Sequence, residues 1–172
     1  FLNTALNVRE DEPGTLTIQA QDAAGNPITL NSDLTLSVSS SSNTGFFARD
    51  LNEDISTRWN YNTVILRAGS SQVTFYYKDS LKGSPVVTIR GPNSYGEASQ
   101  TETITSKYRL LVTGVTNPVK SGVPSSITIQ AVDYTGQPLH DYTGTVHFTS
   151  TDGAAQVPAD FQINEAHLGG NT

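Results

Sequence analysis

The sequence predicts an all-β chain of two tandem β-sandwiches, the second of them short of strands. Three observations carry that expectation: a hydroxyl-rich, charge-poor composition, apolar residues that alternate with polar ones, and an internal repeat. Of 172 residues, 18 are Ser and 22 are Thr, whereas only 15% are charged. An ordinary soluble domain carries roughly one quarter charged residues. Thr suits a pleated surface, and both hydroxyl residues are weak helix formers.

The repeat sets the architecture. Residues 13–28 read PGTLTIQAQDAAGNPI, and residues 124–139 read PSSITIQAVDYTGQPL, with eight of sixteen positions identical and no gap. An offset of 111 residues is too long for a solenoid unit and matches one sandwich of immunoglobulin size. Within the first copy Leu16, Ile18 and Ala20 alternate with Thr17, Gln19 and Gln21, the pattern of a half-buried strand. Asp22 and then Gly25-Asn26-Pro27 end it. Asp bonds nearby backbone amides, Gly tolerates positive φ, and Pro fixes the exit. Ile127, Ile129 and Ala131, followed by Asp133 and Gly136-Gln137-Pro138, repeat the arrangement. Recurrence of Asp22 and Asp133 marks a structural need, a turn-capping hydrogen bond, ahead of metal ligation.

Further strands are expected at 33–40, 62–67, 71–78, 85–90 and 98–105 in the first repeat. The second repeat offers 108–116, 143–151 and a short one near 160–164. Breakers such as Lys82-Gly83-Ser84-Pro85 and Gly91-Pro92-Asn93 separate them. Residues 49–58 have room for one helical turn, and no stretch of ten or more residues shows a 3.6-residue period. The domains are accordingly 1–106 and 107–172. The second offers about four strands where a seven-stranded sandwich needs about three more. Its apolar residues Ile127, Ile129, Val146, Phe148 and Phe161 call for a covering layer, supplied either by sequence beyond Thr172 or by a strand from another chain.

Composition removes several functions. A net charge of −6 and a pI near 4.8 argue against a nucleic-acid binder with a basic stripe. No run of 18 apolar residues is present. With no cysteine, disulfides, thiolate metal sites and Cys nucleophiles are excluded. The absence of an initiator Met or a leader at Phe1 suggests a processed chain or an excised fragment.

The runs TIQAxDxxGxP, DYTGTVHFTSTD (141–152) and VPADFQI (157–163) together resemble tandem bacterial immunoglobulin-like repeats of the invasin type. Residues 64–89, VILRAGSSQVTFYYKDSLKGSPVVTI, are similar to later strands of the same class. The resemblance implies immunoglobulin-like sandwiches from a secreted surface protein of bacteria: an S-layer, a filament or an adhesin stalk. It implies a non-catalytic spacer and assembly surface, outside the cell, whose partners are neighbouring domains or subunits, with strand pairing as one way of joining them. The alternative is a carbohydrate-binding module or an accessory domain of a secreted glycan-degrading enzyme.

Chemistry-bearing residues are few. The histidines His140, His147 and His167 sit in no nucleophile motif and read as solvated surface residues. Asp50, Glu53 and Asp54 form a weak acidic cluster, and Glu10-Asp11-Glu12 another, so calcium is the one cofactor to consider; no DxDxDG loop accompanies either. Solvated acidic turns are the simpler reading. Trp59 and Tyr61 are candidate stacking residues for a carbohydrate, against a role for Trp59 as a plug at the sandwich edge, with Phe75 and Tyr77 filling the core. An intramolecular Lys–Asn isopeptide bond is disfavoured, because the first domain has no Lys before Lys78.

Overall fold

A computed structural model describes residues 1–52, 59–92, 95–114, 117–118, 120–140, 142–163 and 170–171. These divide into two compact units, Phe1–Ser106 and Lys107–Thr172. Both are built from strands, and no helix occurs among the described residues.

The first unit contains β1 (Asn7–Arg9), β2 (Gly14–Gln19), β3 (Leu34–Ser40), β4 (Gly45–Ala48), β5 (Thr63–Leu66), β6 (Gln72–Asp79), β7 (Val86–Arg90), β8 (Glu97–Thr101) and β9 (Thr103–Thr105). Two antiparallel sheets form, in the orders β2-β6-β4 and β5-β3-β7-β8, while β1 and β9 make a short parallel pair. Period-two alternation places Leu16 and Ile18 of β2 inward and sets them beside Phe75 and Val73 of β6. Leu36 and Val38 of β3 do the same beside Val64 and Ile89. The two inner faces close over one core that also holds Phe47, Leu66, Tyr77, Val87 and Ile104. Removing each such side chain from water is worth roughly 1.5–3 kcal/mol, and this core stabilises the unit.

Two buried acids interrupt the apolar interior. Asp79 is fully buried and accepts from the Thr44 hydroxyl at 2.5 Å, the Tyr77 hydroxyl at 2.8 Å and the Leu81 amide at 3.1 Å. Glu102, also fully buried, accepts from the Leu6 amide and from Gln100 Nε2. It stands between β8 and β9, so the single strand expected over 98–105 is two strands bent around a buried carboxylate. The sequence reading also omits β1 and β4. β1 is only three residues long, and β4 is a Gly-Phe-Phe-Ala run without alternation.

The second unit contains β10 (Tyr108–Thr113), β11 (Thr128–Asp133), β12 (Gly144–Val146), β13 (Phe161–Ile163) and β14 (Gly170–Asn171). Its sheets are β10-β11-β14 and β12-β13. Ile129, Ala131, Val146 and Ile163 form a buried core, with Ile127, Phe148 and Phe161 packed half-buried against it. The covering layer expected for Ile129 and Val146 therefore comes from within the unit. Uncovered apolar surface lies instead on β10, where Leu110, Leu111 and Val112 are 43%, 37% and 49% exposed. The strand expected over 143–151 shortens to Gly144–Val146, and the helical turn considered at 49–58 falls largely outside the described residues.

Candidate functional site

The sequence-predicted residues separate into three places. Asp50 is exposed and accepts from the backbone and side-chain nitrogens of Asn52 at 2.8 and 3.0 Å, a local turn in which the carboxylate satisfies its own loop. Glu53 and Asp54 lie outside the described residues. The acidic turn before β2 is similarly occupied. Glu12 accepts from the Arg9 amide and guanidinium, and Glu10 from the Lys82 amide. Among the described residues, no group of three or more His, Asp or Glu is placed to hold a metal ion.

His147 pairs with Asp160, Nδ1 to Oδ1 at 2.7 Å, across the ends of β12 and β13, both side chains more than half exposed. A well-exposed pair of this kind contributes little to stability. His140 is exposed, and His167 lies outside the described residues.

Trp59 and Tyr61 do come together, on a segment that bridges the two sheets of the first unit. The Tyr61 amide donates to the Phe47 carbonyl of β4 at 3.2 Å, and the Val38 amide of β3 donates to the Asn62 carbonyl at 2.8 Å. Each ring carries a cation. Lys78 Nζ lies 4.6 Å from the Trp59 ring centroid, and the Arg49 guanidinium carbon lies 4.2 Å from that of Tyr61, within the range of cation–π attraction. Arg49 is further anchored by the Thr63 carbonyl at 3.0 Å and hydroxyl at 2.8 Å. The inward roles expected for Phe75 and Tyr77 hold, since both are fully buried.

Sequence reasoning missed Phe46. On β4, Phe47 points inward, and Phe46 points out at 42% exposure, directly opposite Lys78 of β6. Cross-strand partners share a face, so Lys78 links the outer face that carries Phe46 to the Trp59 ring. The three aromatics line one groove of about 300 Å³. Two adjacent Phe in a four-residue strand give no alternation, which is why the outward one was not distinguished.

The electrostatics of the first unit centre on Asp79 and Tyr77 rather than on the groove. Burial pushes the Asp79 carboxyl up, but the Thr44 and Ser42 hydroxyls, the Leu81 amide and the Tyr77 hydroxyl outweigh it and hold the group below its ordinary value. Burial is also the main reason that the Tyr77 phenol is raised far above the ordinary value of 10.0. With Ser40, Thr44 and the Leu81 amide, the pair forms a structural hydrogen-bond network.

No protein-family model matches the chain, and no curated protein sequence matches it. Similar solved structures come from surface layer protein SbsC. Its domains 4–9 align over 88% of this chain and 23% of that one, at 18% identity and a TM-score of 0.41. Its domains 5–6 align over 88% of this chain and 71% of that one, at 18% identity and a TM-score of 0.40. The chain thus spans about a quarter of the first of these. At such scores the likeness adds no weight to a functional assignment. Among the described residues no helix is long and apolar enough to cross a membrane.

Proposed function

We infer that the chain is a non-catalytic structural module of an extracellular surface protein, a repeated spacer whose second unit carries an assembly surface for neighbouring domains or subunits. The observation that carries this reading is β10. It is the edge strand of its sheet, with no strand on its outer side among the described residues. Leu110 lies opposite the buried Ala131, and Val112 opposite the buried Ile129. Both are therefore on the core-facing side of the sheet and yet stay exposed. Leu111, on the other side, is exposed as well. Natural edge strands are protected by charged side chains, proline, a bulge or a cover. The Tyr-Arg-Leu-Leu-Val-Thr sequence of β10 has one charge, Arg109 near its start, and no proline, so the run Leu110-Leu111-Val112 carries no such residue. A partner strand added here would satisfy the edge amides and carbonyls and bury three aliphatic side chains at once.

A spacer reading also accounts for what recurs. The two copies of the repeat share their turn geometry, while the histidines and exposed acids have no counterpart arrangement. The hydroxyl-rich, cysteine-free composition suits an extracellular setting. Sedimentation velocity over a range of concentrations tests the proposal. The expected result is reversible association of the intact chain that is weakened in Leu111→Lys without a change in far-ultraviolet circular dichroism. A chain that stays monomeric at every concentration, or a variant that associates as the parent does, would contradict it.

A further inference from the structure

We propose that the groove lined by Phe46, Trp59 and Tyr61 is a binding site for a neutral carbohydrate, a function separate from assembly through β10. Three observations support it. First, the groove joins aromatic surface to neutral hydrogen-bonding groups. Ser39, Asn60 and Asn62 line it beside the rings, and among the described residues no charged side chain does. Aromatic faces attract the weakly positive C–H face of a pyranose, while amides and hydroxyls meet its hydroxyl groups without the cost of desolvating an ion. In a chain of net charge −6, an uncharged groove selects a ligand that has no charge to satisfy.

Second, the two nearby cations are already engaged outside the groove. Lys78 sits against the Trp59 ring, and Arg49 is held by Thr63 and the Tyr61 ring. Neither lines the groove, so they brace the rings and leave the groove side to a ligand. Fixing ring orientation beforehand lowers the ordering cost of binding.

Third, Phe46 has no structural explanation. Around it the outer face of this sheet is mostly polar, with Thr15, Thr17, Thr74 and Lys78 beside Tyr76, and a half-exposed Phe on such a face contributes little to folding. A volume of about 300 Å³ is at the lower end for ligand clefts, suited to one or two sugar rings of a longer chain.

Trp59 is the only tryptophan, so fluorescence excited selectively at tryptophan reports on this groove. The test titrates the intact chain with cellohexaose, chitohexaose, mannohexaose and xylohexaose, with hexagalacturonate as the charged control. At least one neutral oligosaccharide should change Trp59 emission saturably with Kd no weaker than roughly 10 mM, and Phe46→Ala should raise that Kd about tenfold or more. Asn62→Ala, on an exposed side chain, should weaken binding of the same sugar with the thermal midpoint unchanged. No response to any neutral sugar, a response to hexagalacturonate alone, or unaltered binding in both variants would overturn the proposal.

Discussion

Asp22 and Asp133, 111 residues apart, make the same hydrogen bonds in the two units. Asp22 Oδ1 accepts from the Ala24 and Asn26 amides at 2.9 and 2.8 Å, and Asp133 Oδ1 from the Thr135 and Gln137 amides at 2.8 and 2.9 Å. The backbone follows suit. Asp22 and Asp133 donate to the carbonyls of Asn26 and Gln137, each at 2.9 Å. Gly25 and Gly136 then turn at φ 85° and 95°, which a side chain would strain. Oδ1 of each aspartate is engaged by the amides of its own turn, so the repeated aspartate is a capping residue.

Asp22→Ala and Asp133→Ala should each lower the thermal midpoint and release the amides that the carboxylate holds. Amide exchange checks this: Ala24 and Asn26 should lose protection in the first variant only, Thr135 and Gln137 in the second only. Asp→Asn, which keeps an acceptor oxygen, should restore part of the protection.

Asp79→Ala should be among the most damaging single changes in the first unit. It removes the acceptor shared by the Thr44 and Tyr77 hydroxyls and the Leu81 amide, leaving the two hydroxyls only their contacts with Ser42 and Ser40. Hydrogen bonds to a charged group contribute about 1.5–3 kcal/mol each, so a loss of roughly 2–4 kcal/mol in denaturant unfolding is expected once the remaining contacts and partial relaxation are allowed for. Tyr77→Phe removes one donor and should cost less than half as much.

Acid should destabilise the chain in a defined window. Asp22 is held below its ordinary value of 3.8 chiefly by the Asn26 amide, Asp33 by the Ala68 amide and then Arg67, and Asp133 by the Thr135 hydroxyl and the Gln137 amide. Asp79 is lowered too, its hydroxyl and amide donors outweighing burial. For all four the unfolded chain takes up the proton first as pH falls. The stability these groups contribute is therefore full above 3.8 and is lost as pH drops through their lower folded values. Urea midpoints should be flat from about pH 7 to about pH 5 and fall steeply below about pH 4. Asp79→Asn should start less stable and fall less.

Most of this was legible in sequence for a physical reason. Strands such as β2, β3 and β6 alternate strictly, because one face is core and the other solvent, and Leu16-Thr17-Ile18 records that directly. The repeated Asp and Gly gave the turns, since those residue types are demanded by amide capping and positive φ. The strands missed are those whose reason to exist is not periodic. β1 is held by parallel pairing with β9 and by Glu102, whose carboxylate accepts from the Leu6 amide just before the strand, and β4 by pairing with β6. The burial of Glu102 leaves no mark in the local sequence, because burial of a carboxylate depends on donors from distant segments. At the groove, Trp59 and Tyr61 were visible as close aromatics, whereas Phe46 becomes part of the site only through the register that sets it opposite Lys78.

The central claim is that the second unit assembles through β10, and residue-resolved amide exchange of the intact chain at increasing concentration tests it most directly. The account predicts that the outward-pointing amides of β10, which alternate with those already bonded to β11, gain protection as concentration rises from about 1 μM to about 1 mM, that those of β2 and β6 do not change, and that Leu111→Lys abolishes the gain. Exchange at β10 that is the same at every concentration, or a gain of protection located elsewhere, would contradict it.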